Sequence, residues 1–115
     1  MSSDKPNVIF VDDDPRTGDL FRRFARNETF DVDIFRSPQN ALERIEQSPA
    51  PALIISDLKM PGMSGIELLQ AVRGQHPKLP FILITGYSTM DDAIEALRLG
   101  ATDFVKKPFD MDELL

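Results

Sequence analysis

The chain predicts an α/β fold built on a parallel sheet, and three observations carry that prediction. Short apolar runs recur along it, at Val8 to Val11, Leu53 to Ile55, Phe81 to Ile84 and Phe104-Val105. They are short and continuous, the signature of strands covered on both faces. Helix-patterned segments separate them, and strands alternating with helices over short connections make parallel sheets. The runs also finish in reactive side chains: Asp12-Asp13-Asp14, Asp57, Thr85 and Lys106-Lys107. In an open parallel sheet the carboxyl ends of the strands form one rim, and ligands bind there.

The first strand is Val8 to Val11. Asp14 is placed to cap the helix that follows, and Pro15 suits its first position. Leu20, Phe21, Phe24 and Ala25 fall on one face of that helix. From Phe30 to Phe35, Asp31 and Asp33 alternate with Val32 and Ile34, as in a half-exposed edge strand. Ser37 caps a second helix carrying Ala41, Leu42 and Ile45, closed by Pro49 and Pro51. Beyond the strand that ends on Asp57 lies a turn-rich loop, Met60-Pro61-Gly62-Met63-Ser64-Gly65. Ser64 and Glu67 have capping-box spacing and open a helix buried through Ile66, Leu69 and Val72. Gly74 to Pro80 reads as a breaker segment with His76 exposed in it. After the strand Phe81 to Ile84, a helix carries Met90, Ala93, Ile94 and Leu97 on one stripe and stops at Gly100. Phe104-Val105 is the last strand, and Asp110 starts a helix that has barely begun at Leu115.

The 115 residues suit one domain, spanning 1–115, and a 42% apolar fraction is ordinary for a globular chain. A net charge of −6 argues against direct nucleic-acid binding by this segment, which needs a basic face. With no cysteine, disulfides and thiolate metal sites are excluded. Met1 to Asn7 lacks the apolar core of a signal peptide, and no stretch approaches the ~18 apolar residues of a membrane span. A cytoplasmic protein without membrane contact is expected.

Neighbouring carboxylates repel, so Asp12, Asp13 and Asp14 call for a cation or a helix start to absorb their charge. Acids, a hydroxyl and an amine on one rim suggest a magnesium-assisted phosphoryl site. The segments Val11-Asp12-Asp13-Asp14, Ser56-Asp57-Leu58-Lys59-Met60-Pro61-Gly62-Met63-Ser64-Gly65, Thr85-Gly86 and Lys107-Pro108-Phe109 resemble the receiver domain of two-component response regulators. They occur in order and at family-like spacing, from about Val8 to the end of the chain. The resemblance implies a doubly wound, flavodoxin-like sheet of five parallel strands in the order 2-1-3-4-5, helices on both faces, and a last helix that is truncated here.

It also implies a set of roles. Asp12, Asp13, Asp57 and the backbone carbonyl of Lys59 would hold Mg²⁺ (or Mn²⁺), a hard cation satisfied by a few oxygens and retained waters. Asp14 is left as the helix cap and the Lys59 side chain as a solvated charge. Asp57 would be the phosphoacceptor, becoming an acyl phosphate. Thr85, the Gly86 amide and the Lys107 amine would bind phosphoryl oxygens, and Tyr87 would stand near the pocket mouth and modulate hydrolysis. Phe104 matches an aromatic that repacks on phosphorylation, and equally suits plain core.

The implied function is a phosphorylation-dependent switch served by a sensor histidine kinase or phosphotransfer protein, without catalytic turnover. Two other classes compete. A metal-dependent phosphohydrolase commonly needs a second acid to protonate its leaving group, and the position two after Asp57 is Lys59. A phosphorylation-independent binding module would normally have lost one of the site residues, and all are present. The short final helix leaves apolar surface on the Phe104 strand and the Leu20–Phe24 helix, which predicts an output domain beyond Leu115 or a homodimer.

Overall fold

The structure is a computed structural model describing residues 6–25, 30–47, 50–60, 62–85 and 90–106, with the side chains of Phe24, Ala25, Met90 and Lys106 outside the description. Strands β1 (Asn7–Val11), β2 (Asp31–Phe35), β3 (Leu53–Asp57), β4 (Phe81–Thr85) and β5 (Asp103–Lys106) alternate with helices α1 (Pro15–Ala25), α2 (Pro38–Ile45), α3 (Gly65–Gln75) and α4 (Met90–Arg98). All pairings are parallel, in the order β2-β1-β3-β4-β5. That is the expected sheet. The expected helix from Asp110, and Pro49 at the close of α2, lie outside the described residues.

The continuous apolar runs are explained by two cores, one on each face. On one face Ile9, Val11, Ile54, Phe81 and Leu83 pack with Ala41 and Ile45 of α2, Leu68, Leu69 and Val72 of α3, and Ala96 of α4. On the other, Val8, Phe10, Ile55 and Ile84 pack with Phe21 of α1. Phe10 and Phe21 stack with ring centroids 4.5 Å apart, which anchors α1 over β1. Exposed Asp31 and Asp33 mark β2 as a charged edge, which discourages pairing with another strand.

Four local expectations need correction. Leu20 points outward, at 56% exposed, so Phe21 seats α1. In α3 Leu68 is fully buried while Ile66 is only half-buried, and the helix runs through Gly74 to Gln75. His76 is half-buried, and its amide closes α3 by donating to the Val72 carbonyl. In α4 the large residues Ile94 and Leu97 face out, 47% and 51% exposed, and the small Ala96 faces the sheet.

Three helix ends behave as the sequence reads. Ser37 caps α2 by accepting from the Asn40 amide, and Ser64 with Glu67 forms a complete capping box on α3. Gly100, at φ +103°, turns the chain after α4 where an L side chain would be strained. The turns that lead into β4 and β5, around Pro77-Lys78 and Gly100-Ala101, lie at the amino ends of the strands, on the rim opposite the acids.

Candidate functional site

The buried polar or charged side chains among the described residues are Asp12, Ser56, Asp57 and Thr85. All four sit at the carboxyl ends of β1, β3 and β4. The ladder explains why they meet. Val11 pairs with Ser56, so the next residues, Asp12 and Asp57, run side by side; Asp57 pairs with Ile84, setting Thr85 one step further out. Thr85 in turn pairs with Lys106.

Carboxylate oxygens of Asp12, Asp13 and Asp57 lie within 4.8 Å of one another. Asp12 is 1% exposed and Asp57 8%, so water screens their repulsion poorly. Three hard oxygen donors converging in a partly desolvated pocket fit a small divalent cation such as Mg²⁺, and their number and type match no soft-metal site. Asp12 is held by the turn after β1: one carboxylate oxygen accepts from the Asp14 amide at 2.9 Å.

Asp14 departs from this cluster. Its carboxylate accepts from the Arg16 amide at 2.9 Å, and from Arg16 Nε and Nη2 at 3.1 and 2.9 Å. That bond and ion pair hold the exposed Arg16 guanidinium's pKa above its ordinary value. The third aspartate is thus a helix cap, as its position before Pro15 suggests.

Asp57 is set by its backbone. The Ser56 hydroxyl donates to the Asp57 carbonyl at 2.9 Å. The following Leu58 amide donates to the Ile84 carbonyl at 2.9 Å, and the Leu58 carbonyl accepts from the Gly65 amide at 2.7 Å. A Cβ on Gly65 would overlap the Asp57 carbonyl oxygen and come 2.7 Å from a Leu83 methyl, so only glycine lets α3 start this close to the acid. Ser56 and Gly65 were not singled out in the sequence, though a glycine directly after a Ser cap is the visible signal for the second.

Lys59, whose carbonyl was implicated, lies just past β3 with an exposed residue surface. Phe104 is half-buried against the α3-side core, consistent with either reading given above. Gly86, Tyr87 and Lys107 lie outside the described residues.

Fold and rim together define a doubly wound α/β domain with an acidic pocket at the carboxyl edge of its sheet. The chain belongs to the response regulator receiver domain family, whose model matches residues 8–115. It is 37% identical over 111 residues to the DNA-binding transcriptional regulator NtrC of Proteus hauseri, covering 96% of this chain and 23% of that protein. To the transcriptional regulatory protein FixJ of Bradyrhizobium diazoefficiens it is 34% identical over 114 residues, covering 96% of this chain and 53% of that one. The chain therefore spans about a quarter to a half of these curated relatives. Among solved structures it resembles the signal receiver domain of a LuxO repressor protein from Vibrio parahaemolyticus (TM-score 0.89, 32% identity, 96% of this chain and 84% of that one). A CheY-like receiver domain protein from Methanospirillum hungatei is similar (TM-score 0.89, 28% identity, 96% and 87%). Receiver domains of response regulators are phosphorylation-dependent signalling modules, not turnover enzymes. Among the described residues no helix is long and apolar enough to cross a membrane.

Proposed function

We propose that this chain is a switch set by phosphorylation of Asp57. The observation that carries the reading is the buried convergence of Asp12, Asp13 and Asp57 at the end of the sheet. A carboxylate oxygen of Asp57 attacks the phosphorus of a phosphohistidine on a sensor kinase or phosphotransfer protein. The phosphorus–nitrogen bond breaks, its electron pair leaves with the imidazole, which takes up a proton, and an aspartyl phosphate remains. Asp12, Asp13, Asp57 and the Lys59 carbonyl would hold Mg²⁺ (or Mn²⁺). When bound, that ion screens the crowded anions and the charge on the transferring oxygens. Thr85, the Gly86 amide and Lys107 receive the remaining phosphoryl oxygens, and Tyr87, two residues after Thr85, modulates hydrolysis.

The added charge biases a two-state equilibrium through Thr85, and the segment from Tyr87 to Phe104 repacks. Having no hydroxyl, Phe104 acts through packing alone. The read-out belongs to an output domain beyond Leu115 or to a partner, including a second copy, with cytoplasmic placement.

Incubating the protein with a small-molecule phosphodonor and Mg²⁺, then measuring intact mass, tests this. One stable added phosphoryl, absent in Asp57→Asn, is expected. Rapid donor turnover without accumulation would mark a phosphohydrolase, and no reaction a binding module.

A further inference from the structure

Asp14 lies outside the acid cluster, yet it is tied to it. Two hydrogen bonds of the same kind follow each other in the turn after β1: the Asp14 amide donates to the Asp12 carboxylate, and the Arg16 amide donates to the Asp14 carboxylate, each at 2.9 Å. Between them stands Pro15, whose ring fixes its backbone angle. Both bonds run through Asp14, so the one that pins its side chain to the start of α1 also restricts where its amide can swing. We propose that Asp14 is a positioning residue for the cation site, holding the Asp12 carboxylate at the angle at which it shares a cation with Asp13 and Asp57. This rests on the reading that those three acids hold Mg²⁺.

The division of labour among the three aspartates follows from what each carboxylate faces. Asp12 and Asp13 converge with Asp57. Asp14 faces the first turn of α1 and the Arg16 guanidinium, which keeps a further negative charge from competing as a ligand. The Arg16 side chain is 88% exposed, and an exposed ion pair contributes little. The bond to the Arg16 amide is thus the part that matters, and any short side chain able to accept it should serve. That separates this proposal from simple electrostatic attraction, in which removing the Asp14 charge would weaken Mg²⁺ binding in Asp14→Asn as much as in Asp14→Ala.

The test titrates Mg²⁺ alone by calorimetry into the wild type, Asp14→Ala, Asp14→Asn, Arg16→Ala and Asp13→Asn, with a melting curve for each. Asp14→Ala should weaken Mg²⁺ about tenfold, the low end of what losing an outer partner costs a metal site. Asp14→Asn should return to within about threefold of wild type, and Arg16→Ala should stay within about twofold. If Asp14→Ala melts too low to titrate, Asp14→Gly replaces it, since glycine is tolerated at a cap with little loss. Unchanged Mg²⁺ affinity in the Ala or Gly variant, with only the melting temperature lowered, overturns the proposal and leaves Asp14 a helix cap. Binding weakened as much in Asp14→Asn as in Asp14→Ala overturns it in favour of charge attraction alone, and clearly tighter binding in any Asp14 variant overturns it outright. A wild type that binds no Mg²⁺ overturns the cation reading, and this inference with it; binding lost only in Asp13→Asn overturns this inference alone.

Discussion

The guanidinium of Arg73 grips the carbonyl of Gly100, 27 residues later, through both Nε at 2.9 Å and Nη2 at 2.7 Å. Its Nη1 donates to the His76 carbonyl at 2.9 Å. One side chain thus joins the end of α3 to the turn that closes α4. Partial burial lowers the Arg73 pKa from its ordinary value, but arginine stays charged throughout the working range. This clamp adds to the packing of Ala96, Leu99 and Ala101 against the core in holding the carboxyl end of α4.

Arg73→Ala should therefore destabilise the protein by about 2 kcal/mol, the scale of hydrogen bonds made by a charged donor. Arg73→Lys should recover less than half, since one ammonium cannot reproduce the planar fork. Denaturant unfolding measures both; a loss below about 0.5 kcal/mol in the Ala variant would show that α4 is held by other means.

Gly65→Ala introduces a Cβ where the Asp57 carbonyl and a Leu83 methyl already stand. Overpacking of this kind costs about 1–3 kcal/mol. The Asp57 backbone is among the groups that must shift, so phosphoryl uptake should fall as well, even at temperatures where the variant is fully folded. Normal uptake by a stably folded variant would mean α3 yields instead.

Asp57→Asn removes one of three carboxylates lying within 4.8 Å of one another. Like charges at such distances cost from about 1 to 4 kcal/mol as the effective dielectric falls from ~80 to ~20. In metal-free buffer the variant should melt higher than wild type, by an amount on the order of 1 kcal/mol after partial screening. A lower melting point would indicate that protein hydrogen bonds to Asp57 outweigh the repulsion.

Mg²⁺ should reverse that order. A ligand taken up only by the folded chain stabilises it by about 2.7 kcal/mol at a hundred times its dissociation constant. Chelation should remove the gain, and Asp13→Ala should shrink it. Melting curves with and without millimolar Mg²⁺ decide the matter.

Tyr87→Ala should shorten the life of the aspartyl phosphate, because a bulky side chain two residues after Thr85 would obstruct the water that attacks in line. The decay rate of the phosphorylated species, followed by intact mass, would be unchanged if Tyr87 points to solvent.

The strands were legible because burial on both faces leaves a run such as Val8 to Val11 without a polar interruption. Asp12 was legible because it follows directly on such a run and Asp57 because it stands one residue, Ser56, beyond another, and parallel register then brings them together. The facing of α4 was not. Its apolar stripe through Ile94 and Leu97 has helical spacing, yet the sheet accepts Ala96, since close approach can favour a small side chain over a large one. The Arg73–Gly100 contact left no local trace, because a charged side chain bonding a distant carbonyl creates no periodicity. Gly100 announced only the end of a helix.

With the acids gathered at one edge of the sheet, the opposite edge becomes a place to work on the molecule. Pro77 and Lys78 are both exposed in the turn that leads into β4. Strand β4 runs from just past that turn to Thr85, and its four steps from Phe81 to Thr85 alone span about 13 Å at ~3.3 Å per residue. A fluorophore attached there, or a short peptide spliced between the two residues, would travel with the domain without crowding the pocket. The same geometry that concentrates the acids leaves the molecule a handle.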